Sequence, residues 1–243
     1  MDLDAFREQI KGCKLFILCN PHNPGGVVWT EAELRAIADI CYDEKVLVFS
    51  DEIHADLTLP PHTHRPFATV SEKARMNSVT FMSPSKAFNM PGLSASHALI
   101  FNEDLRKRFR IYMDAGELDM GHVFAFLSVE AAYSHGTEWL DQCLAYIQGN
   151  IDFVDEFLKK HAPKIKAIRP EASYLVWLDC RELELSQKDL NEFFVDKAHL
   201  ALNDGAMFGK EGTGYMRLNV ASPRSVIEQA MKQLAEAYQA MSF

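Results

Sequence analysis

Two short apolar runs, Lys14-Leu15-Phe16-Ile17-Leu18-Cys19 and Val46-Leu47-Val48-Phe49, flank one amphipathic segment, and this triplet constrains the fold more than any other feature of the chain. Runs of that length without polar alternation suit strands covered on both faces, as in parallel sheets. Between them Thr30-Glu31-Ala32-Glu33 has the pattern of a capping box, and Leu34, Ile37, Ala38 and Cys41 then recur at helical spacing. Strand, helix, strand in this order is a βαβ unit. Its crossover is right-handed in nearly all cases, so the two strands are expected to be parallel and neighbours or near neighbours. Ser78-Val79-Thr80-Phe81-Met82 supplies a third strand, and Ala98-Leu99-Ile100-Phe101, after a short return, a fourth of antiparallel sense.

From Asp104 to about Pro163 the pattern is helical, with Leu140, Cys143, Leu144, Ile147, Ile151, Val154, Phe157 and Leu158 along one stripe. That stripe reads as core or a helix interface. Pro163 and Pro170 punctuate the chain, followed by a strand at Tyr174 to Leu178, a helix at Ser186 to Phe194, a strand at Tyr215 to Val220 and a terminal helix from Ser225 to about Met241. Ser225 and Glu228 have the spacing of a second capping box. The expected architecture is α/β: a mainly parallel open sheet with connecting helices over residues 1–149, then a smaller α+β domain over 150–243.

Acidic residues outnumber basic ones, 34 to 25, for a formal charge of −9, which argues against nucleic acid as a partner. The five cysteines are scattered and form no CxxC pair, so neither a disulfide framework nor a metal knuckle is suggested. The start, Met1-Asp2-Leu3-Asp4-Ala5-Phe6, has no apolar core of a secretory signal, and no apolar stretch approaches the roughly 20 residues that span a bilayer. A soluble cytoplasmic protein is expected.

Three polar loops leave three strands: Asn20-Pro21-His22-Asn23-Pro24-Gly25-Gly26, Ser50-Asp51-Glu52-Ile53-His54 and Ser83-Pro84-Ser85-Lys86. In open α/β sheets ligands sit outside the carboxyl ends of the strands, where Asn23, Asp51 and Lys86 fall. Taken singly each has a plainer role, as a turn residue, a helix cap or a solvated surface charge. Together they offer what pyridoxal phosphate needs: an amine for imine formation, a carboxylate to keep the ring nitrogen protonated, and hydroxyls for phosphate.

These loops, with Met216-Arg217-Leu218-Asn219, resemble the motifs of fold-type I pyridoxal phosphate enzymes of the class I/II aminotransferase family, and in the same order. Within it the chain is most similar to the cystathionine β-lyase branch, through Val28-Trp29-Thr30, Asp51-Glu52-Ile53-His54-Ala55-Asp56 and Lys86-Ala87-Phe88-Asn89-Met90-Pro91-Gly92-Leu93. Glu171-Ala172-Ser173-Tyr174-Leu175-Val176-Trp177-Leu178-Asp179 and Ala221-Ser222-Pro223-Arg224-Ser225 agree too, so the resemblance covers essentially the whole chain.

The resemblance implies that Lys86 forms the imine with the cofactor and acts as general base at Cα. It implies that Asp51 pairs with the ring nitrogen, that Asn23 contacts the ring oxygen, and that Ser83 and Ser85 hold the phosphate. His54 lies where many aminotransferases have a tyrosine on that oxygen, and Ser94 where several have an arginine for the phosphate. Arg217 matches the arginine that takes the substrate α-carboxylate. The implied reaction is C–S β-elimination from cystathionine or cysteine conjugates to a thiol, pyruvate and ammonia. The alternatives are amino transfer on the same fold and a catalytically silent binding or oligomerisation protein. The resemblance also implies a homodimer and an incomplete large-domain sheet. Relatives place further strands before the first one here, with a glycine-containing phosphate loop and the aromatic ring that stacks on the cofactor.

Overall fold

The computed structural model describes residues 1–118 and 120–241. It divides into two compact units, one of residues 1–22 and 27–141, the other of residues 23–26 and 142–243.

The first unit is built on the sheet expected from the apolar runs. Strands β1 (Leu15–Cys19), β2 (Leu47–Asp51), β3 (Ser78–Met82) and β4 (His97–Leu99) lie in that order, the first three parallel and β4 antiparallel to β3. Cys19 pairs with Asp51, Asp51 with Phe81 and Phe81 with Ala98, so one row of residues crosses the sheet at the carboxyl end of β1 to β3. One face carries α1 (Leu3–Gln9), α2 (Glu31–Asp43) and α3 (Glu72–Met76). Leu18 and Val48 meet Leu34, Ile37, Cys41, Phe67 and Val70 there in a buried cluster. On the other face of β1, Leu15 and Ile17 are 46% and 63% exposed, and no strand pairs with the outer edge of β1 among the described residues. Helices α4 (Pro84–Ala87), α5 (Glu103–Ala115) and α6 (Val123–His135) follow. Helix α6 itself carries apolar residues around its circumference, and of these Val123, Phe124, Phe126 and Leu127 are exposed. Such a pattern belongs to a helix meant for burial on several sides.

The second unit holds an antiparallel sheet of β5 (Lys166–Ile168), β6 (Leu175–Asp179), β7 (Asn203–Asp204) and β8 (Tyr215–Asn219), in the order β5-β6-β8-β7. The later turns of α7 (Thr137–His161), with α8 (Gln187–Glu192) and α9 (Arg224–Gln239), complete it. Ile147, Ile151, Val154 and Leu158 of the expected stripe are buried. Asn150 is fully buried beside them. Its Nδ2 donates to the Val220 and Ser222 carbonyls at 2.8 and 3.0 Å, and its Oδ1 accepts from Arg224 Nε at 2.7 Å, so the amide stitches α7 to the turn before α9. The loop segment 23–26 joins this unit through Gly26, whose carbonyl accepts from the Glu171 and Ala172 amides. At φ +70, with a notional Cβ 2.5 Å from Pro170 Cβ, only glycine fits there.

One expected cap is present and one is not. Thr30 Oγ1 accepts from the Glu33 amide while the Glu33 side chain accepts from the Thr30 amide, a complete capping box on α2. The box expected at Ser225 and Glu228 is absent. Helix α9 begins one residue earlier, with Pro223 at its cap and no side-chain cap bond. Proline fixes φ near the helical value, so the helix starts at it and leaves Ser225 inside the first turn. Thr30→Ala should therefore cost about 1 kcal/mol in urea unfolding. Ser225→Ala should change stability by less than about 0.5 kcal/mol.

Candidate active site

Asp51, His54, Ser83, Ser85 and Lys86 all belong to the first unit. Asp51 closes β2 and the serines and lysine follow β3, neighbouring parallel strands about 4.8 Å apart that end at the same side of the sheet. Asp51 is half-buried. Its Oδ1 accepts from the Ile53 amide at 3.2 Å, and Oδ2 has no hydrogen-bond partner among the described residues. His54 is buried, in the turn after it. Ser83 caps the short α4: its Oγ accepts from the Ser85 amide at 3.1 Å, lies 2.8 Å from Ser85 Oγ and donates to the Ala95 carbonyl at 2.5 Å. The two hydroxyls thus face a shared carbonyl. They turn outward only by rotation about Cα–Cβ or C–O bonds, a change hydroxyl rotors make readily. Lys86 is half-buried and makes no ion pair or hydrogen bond among the described residues.

Asn23 and Arg217 belong to the second unit and meet there. Arg217 projects from β8 opposite Trp177 of β6 and Asn203 of β7. Its Nη1 donates to Asn23 Oδ1 and its Nη2 to Asn203 Oδ1, both at 2.8 Å, and its guanidinium lies 4.7 Å above the Phe208 ring. The Nε proton is buried with no hydrogen-bond partner. Among the described residues the hydrogen-bond acceptors of Arg217 are neutral amide oxygens and no carboxylate pairs with it, so its charge is oriented but not neutralised. Burial pulls the Arg217 pKa down, opposed by the nearby Tyr174 hydroxyl. Burial pushes Tyr174 itself up, with Arg217 acting against it. The Asn23 oxygen, expected to be near a ring oxygen through its amide, is committed to Arg217, which leaves its NH₂ as the donor end.

Some polar contacts escaped the sequence reading. Tyr133 of α6 donates to Asp56 at 3.2 Å, and burial followed by the Asp56 charge pushes its pKa well above the usual tyrosine value. The contact of Asn203 with Arg217 and that of buried Glu52 with partly buried His64 likewise have no sequence signal. Glu52 stood inside a motif, but its partner is twelve residues away with no local pattern to join them.

Residues 1–234 match the family model "Aminotransferase class I and II". The chain belongs to the class I and II aminotransferase family. Over 223 residues it is 39% identical to cystathionine β-lyase PatB of Bacillus subtilis, covering 92% of this chain and 58% of that protein. The crystal structure of cystalysin from Treponema denticola, which contains pyridoxal 5'-phosphate, superposes with a TM-score of 0.96 at 34% identity. That match covers 100% of this chain and 62% of cystalysin. A pyridoxal-phosphate-bound C–S lyase from Staphylococcus hominis gives 0.88 at 32%, covering 98% and 61%. The chain therefore spans about three fifths of the length of these relatives. The α/β architecture, a mostly parallel sheet followed by an antiparallel one, is that of these family members.

The residues of the first unit fit pyridoxal phosphate by their chemistry. An amine without an ion-pair partner can bond a carbonyl carbon, a carboxylate with one uncommitted oxygen can face a protonated ring nitrogen, and paired hydroxyls can donate to phosphate. Among the described residues no group of three His, Cys, Asp or Glu side chains could hold a metal ion, and no helix is long and apolar enough to cross a membrane.

Proposed function

We propose that this protein is a pyridoxal-phosphate-dependent C–S β-lyase acting on cystathionine or cysteine conjugates to release a thiol, pyruvate and ammonia. The observation that carries the reading is an amine at Lys86 with no ion-pair or hydrogen-bond partner among the described residues, beside the Asp51 and serine loops of the first unit, in a chain 39% identical to a cystathionine β-lyase and 32% identical to a C–S lyase. When bound, the cofactor supplies an electron sink for the pair left at the substrate Cα.

The remaining work falls to this chain. Arg217, held at both Nη atoms and stacked on Phe208, takes the substrate α-carboxylate through its remaining N–H groups, because a planar fork of donors matches a carboxylate. Lys86 Nζ removes the Cα proton, and loss of that proton drives the Cβ–S electron pair out with the thiolate. Asp51 keeps a positive charge on the ring nitrogen by Coulomb attraction, and Ser83 and Ser85 anchor the phosphate by hydrogen bonds. The same residues support amino transfer if no leaving group occupies Cβ, so substrate chemistry decides between the two outcomes. A small amino acid is the ligand, and a homodimer is the expected assembly.

Incubation with cystathionine and pyridoxal phosphate tests the reading. Pyruvate should appear in equal amount to the thiol product without any added keto acid. Amino transfer that requires a keto acid, with no pyruvate released, would replace the lyase by an aminotransferase.

A further inference from the structure

A carboxylate seldom lies fully buried unless its charge is used, and Glu52, directly after Asp51, is 1% exposed. Its Oε1 accepts from Ser50 Oγ at 2.8 Å and from the Phe67 amide at 2.9 Å, while its Oε2 lies 2.7 Å from His64 Nε2. The His64 side chain is 10% exposed, and its Nδ1 has no hydrogen-bond partner. A second buried side chain reaches the same segment. Asn20, just beyond β1, donates from Nδ2 to the Arg65 carbonyl at 3.1 Å and from its amide to the Asp51 carbonyl at 2.9 Å. Residues 64–67 thus form a strap fastened at His64, Arg65 and Phe67 by Asn20 and Glu52, the residues that directly follow β1 and β2. The backbone on the other side of Glu52 is fixed as well: its amide donates to the Phe81 carbonyl, its carbonyl accepts from the Ala55 amide, and the Ile53 amide donates to Asp51 Oδ1. An apolar side chain could fill the space of Glu52 without these directions. The three hydrogen-bond contacts of the carboxylate fix its rotamer, one residue from Asp51.

We propose that Glu52 and His64 are positioning residues that hold the Asp51 carboxylate in its orientation, with residues 64–67 as the strap. The consequence for cofactor binding rests on the reading of Asp51 above, whereas the positional claim does not.

Amide hydrogen exchange by NMR on the 243-residue protein separates the two. The Ile53 amide reports the Asp51 carboxylate directly, and the Val48 amide, bonded to the Asn77 carbonyl within the sheet, reports the unit as a whole. In both Glu52→Gln and His64→Ala, Ile53 exchange should accelerate by about tenfold or more while Val48 stays unchanged, since local opening exposes one site without the other. His64→Gln, whose amide can still donate to Glu52 Oε2, should restore Ile53 protection. An unchanged Ile53 rate, or Ile53 and Val48 accelerating together, overturns the proposal, and if one variant fails to fold the other decides alone. On adding pyridoxal phosphate, the visible circular dichroism of both variants should weaken relative to the parent. A parent with no visible band contradicts the proposed function, and the amide rates still decide the positioning role.

Discussion

Replacing Lys86 by alanine should lower pyruvate release from cystathionine by at least about a thousandfold while leaving the unfolding midpoint within a few degrees of the parent. The size follows from the two roles given to one nitrogen, cofactor attachment and proton removal at Cα, which are lost together. The small effect on folding follows from the surroundings. Lys86 is half-buried, holds no ion pair or hydrogen bond among the described residues, and sits on a four-residue helix whose cap is Ser83. Lys86→Arg tests the same point more narrowly, because it keeps the charge and removes the titratable amine. It should be nearly as inactive as alanine.

Arg217→Ala should raise KM for an amino-acid substrate by about a hundredfold, a loss of roughly 3 kcal/mol, which is what two charge-assisted hydrogen bonds contribute at about 1.5 kcal/mol each. The kcat value should fall much less, since carboxylate binding is made in ground and transition state alike. Arg217→Lys should recover only part of the loss, because an ammonium cannot keep both the Asn23 and Asn203 contacts and still present two parallel donors. Equal kcat/KM losses carried wholly by kcat would show that Arg217 acts on the reacting atoms and not on the carboxylate.

The parts of the fold that were legible in the sequence share one physical cause. Strands β1 to β3 were marked by largely apolar runs and α2 by both a period and a cap, because they bury apolar surface, whereas β4, expected at 98–101, lies at His97–Leu99 with no fully buried residue. The parts that were not legible are short or held by single contacts. Helix α1 has seven residues and only Phe6 buried, and β7 has two residues, Asn203 and Asp204, whose place is set by pairing with β8. Buried Asn150 lies inside an apolar stripe and interrupts it, since what it satisfies are carbonyls some seventy residues away. The cap expected at Ser225 failed because the preceding Pro223 already starts the helix.

The candidate site shows the same division. Lys86, Asp51 and the two serines stand beside strand ends that periodicity marks, so their neighbourhood follows from the βαβ logic. Other contacts do not: the Glu52 to His64 bond in the first unit and the Arg217 clamp in the second join residues 12, 14 and 194 positions apart, where no local spacing rule applies. A sequence pattern identifies which chemical groups gather at a sheet edge, and long-range packing decides what each of them faces.

The most direct measurement of the central claim is reduction of the protein with borohydride in the presence of pyridoxal phosphate, followed by peptide mass mapping. The pyridoxyl mass should lie on the peptide containing Lys86 and vanish in Lys86→Ala. Labelling spread over other lysines, or absent from Lys86 while the protein is folded, would contradict the assignment of cofactor chemistry to this chain.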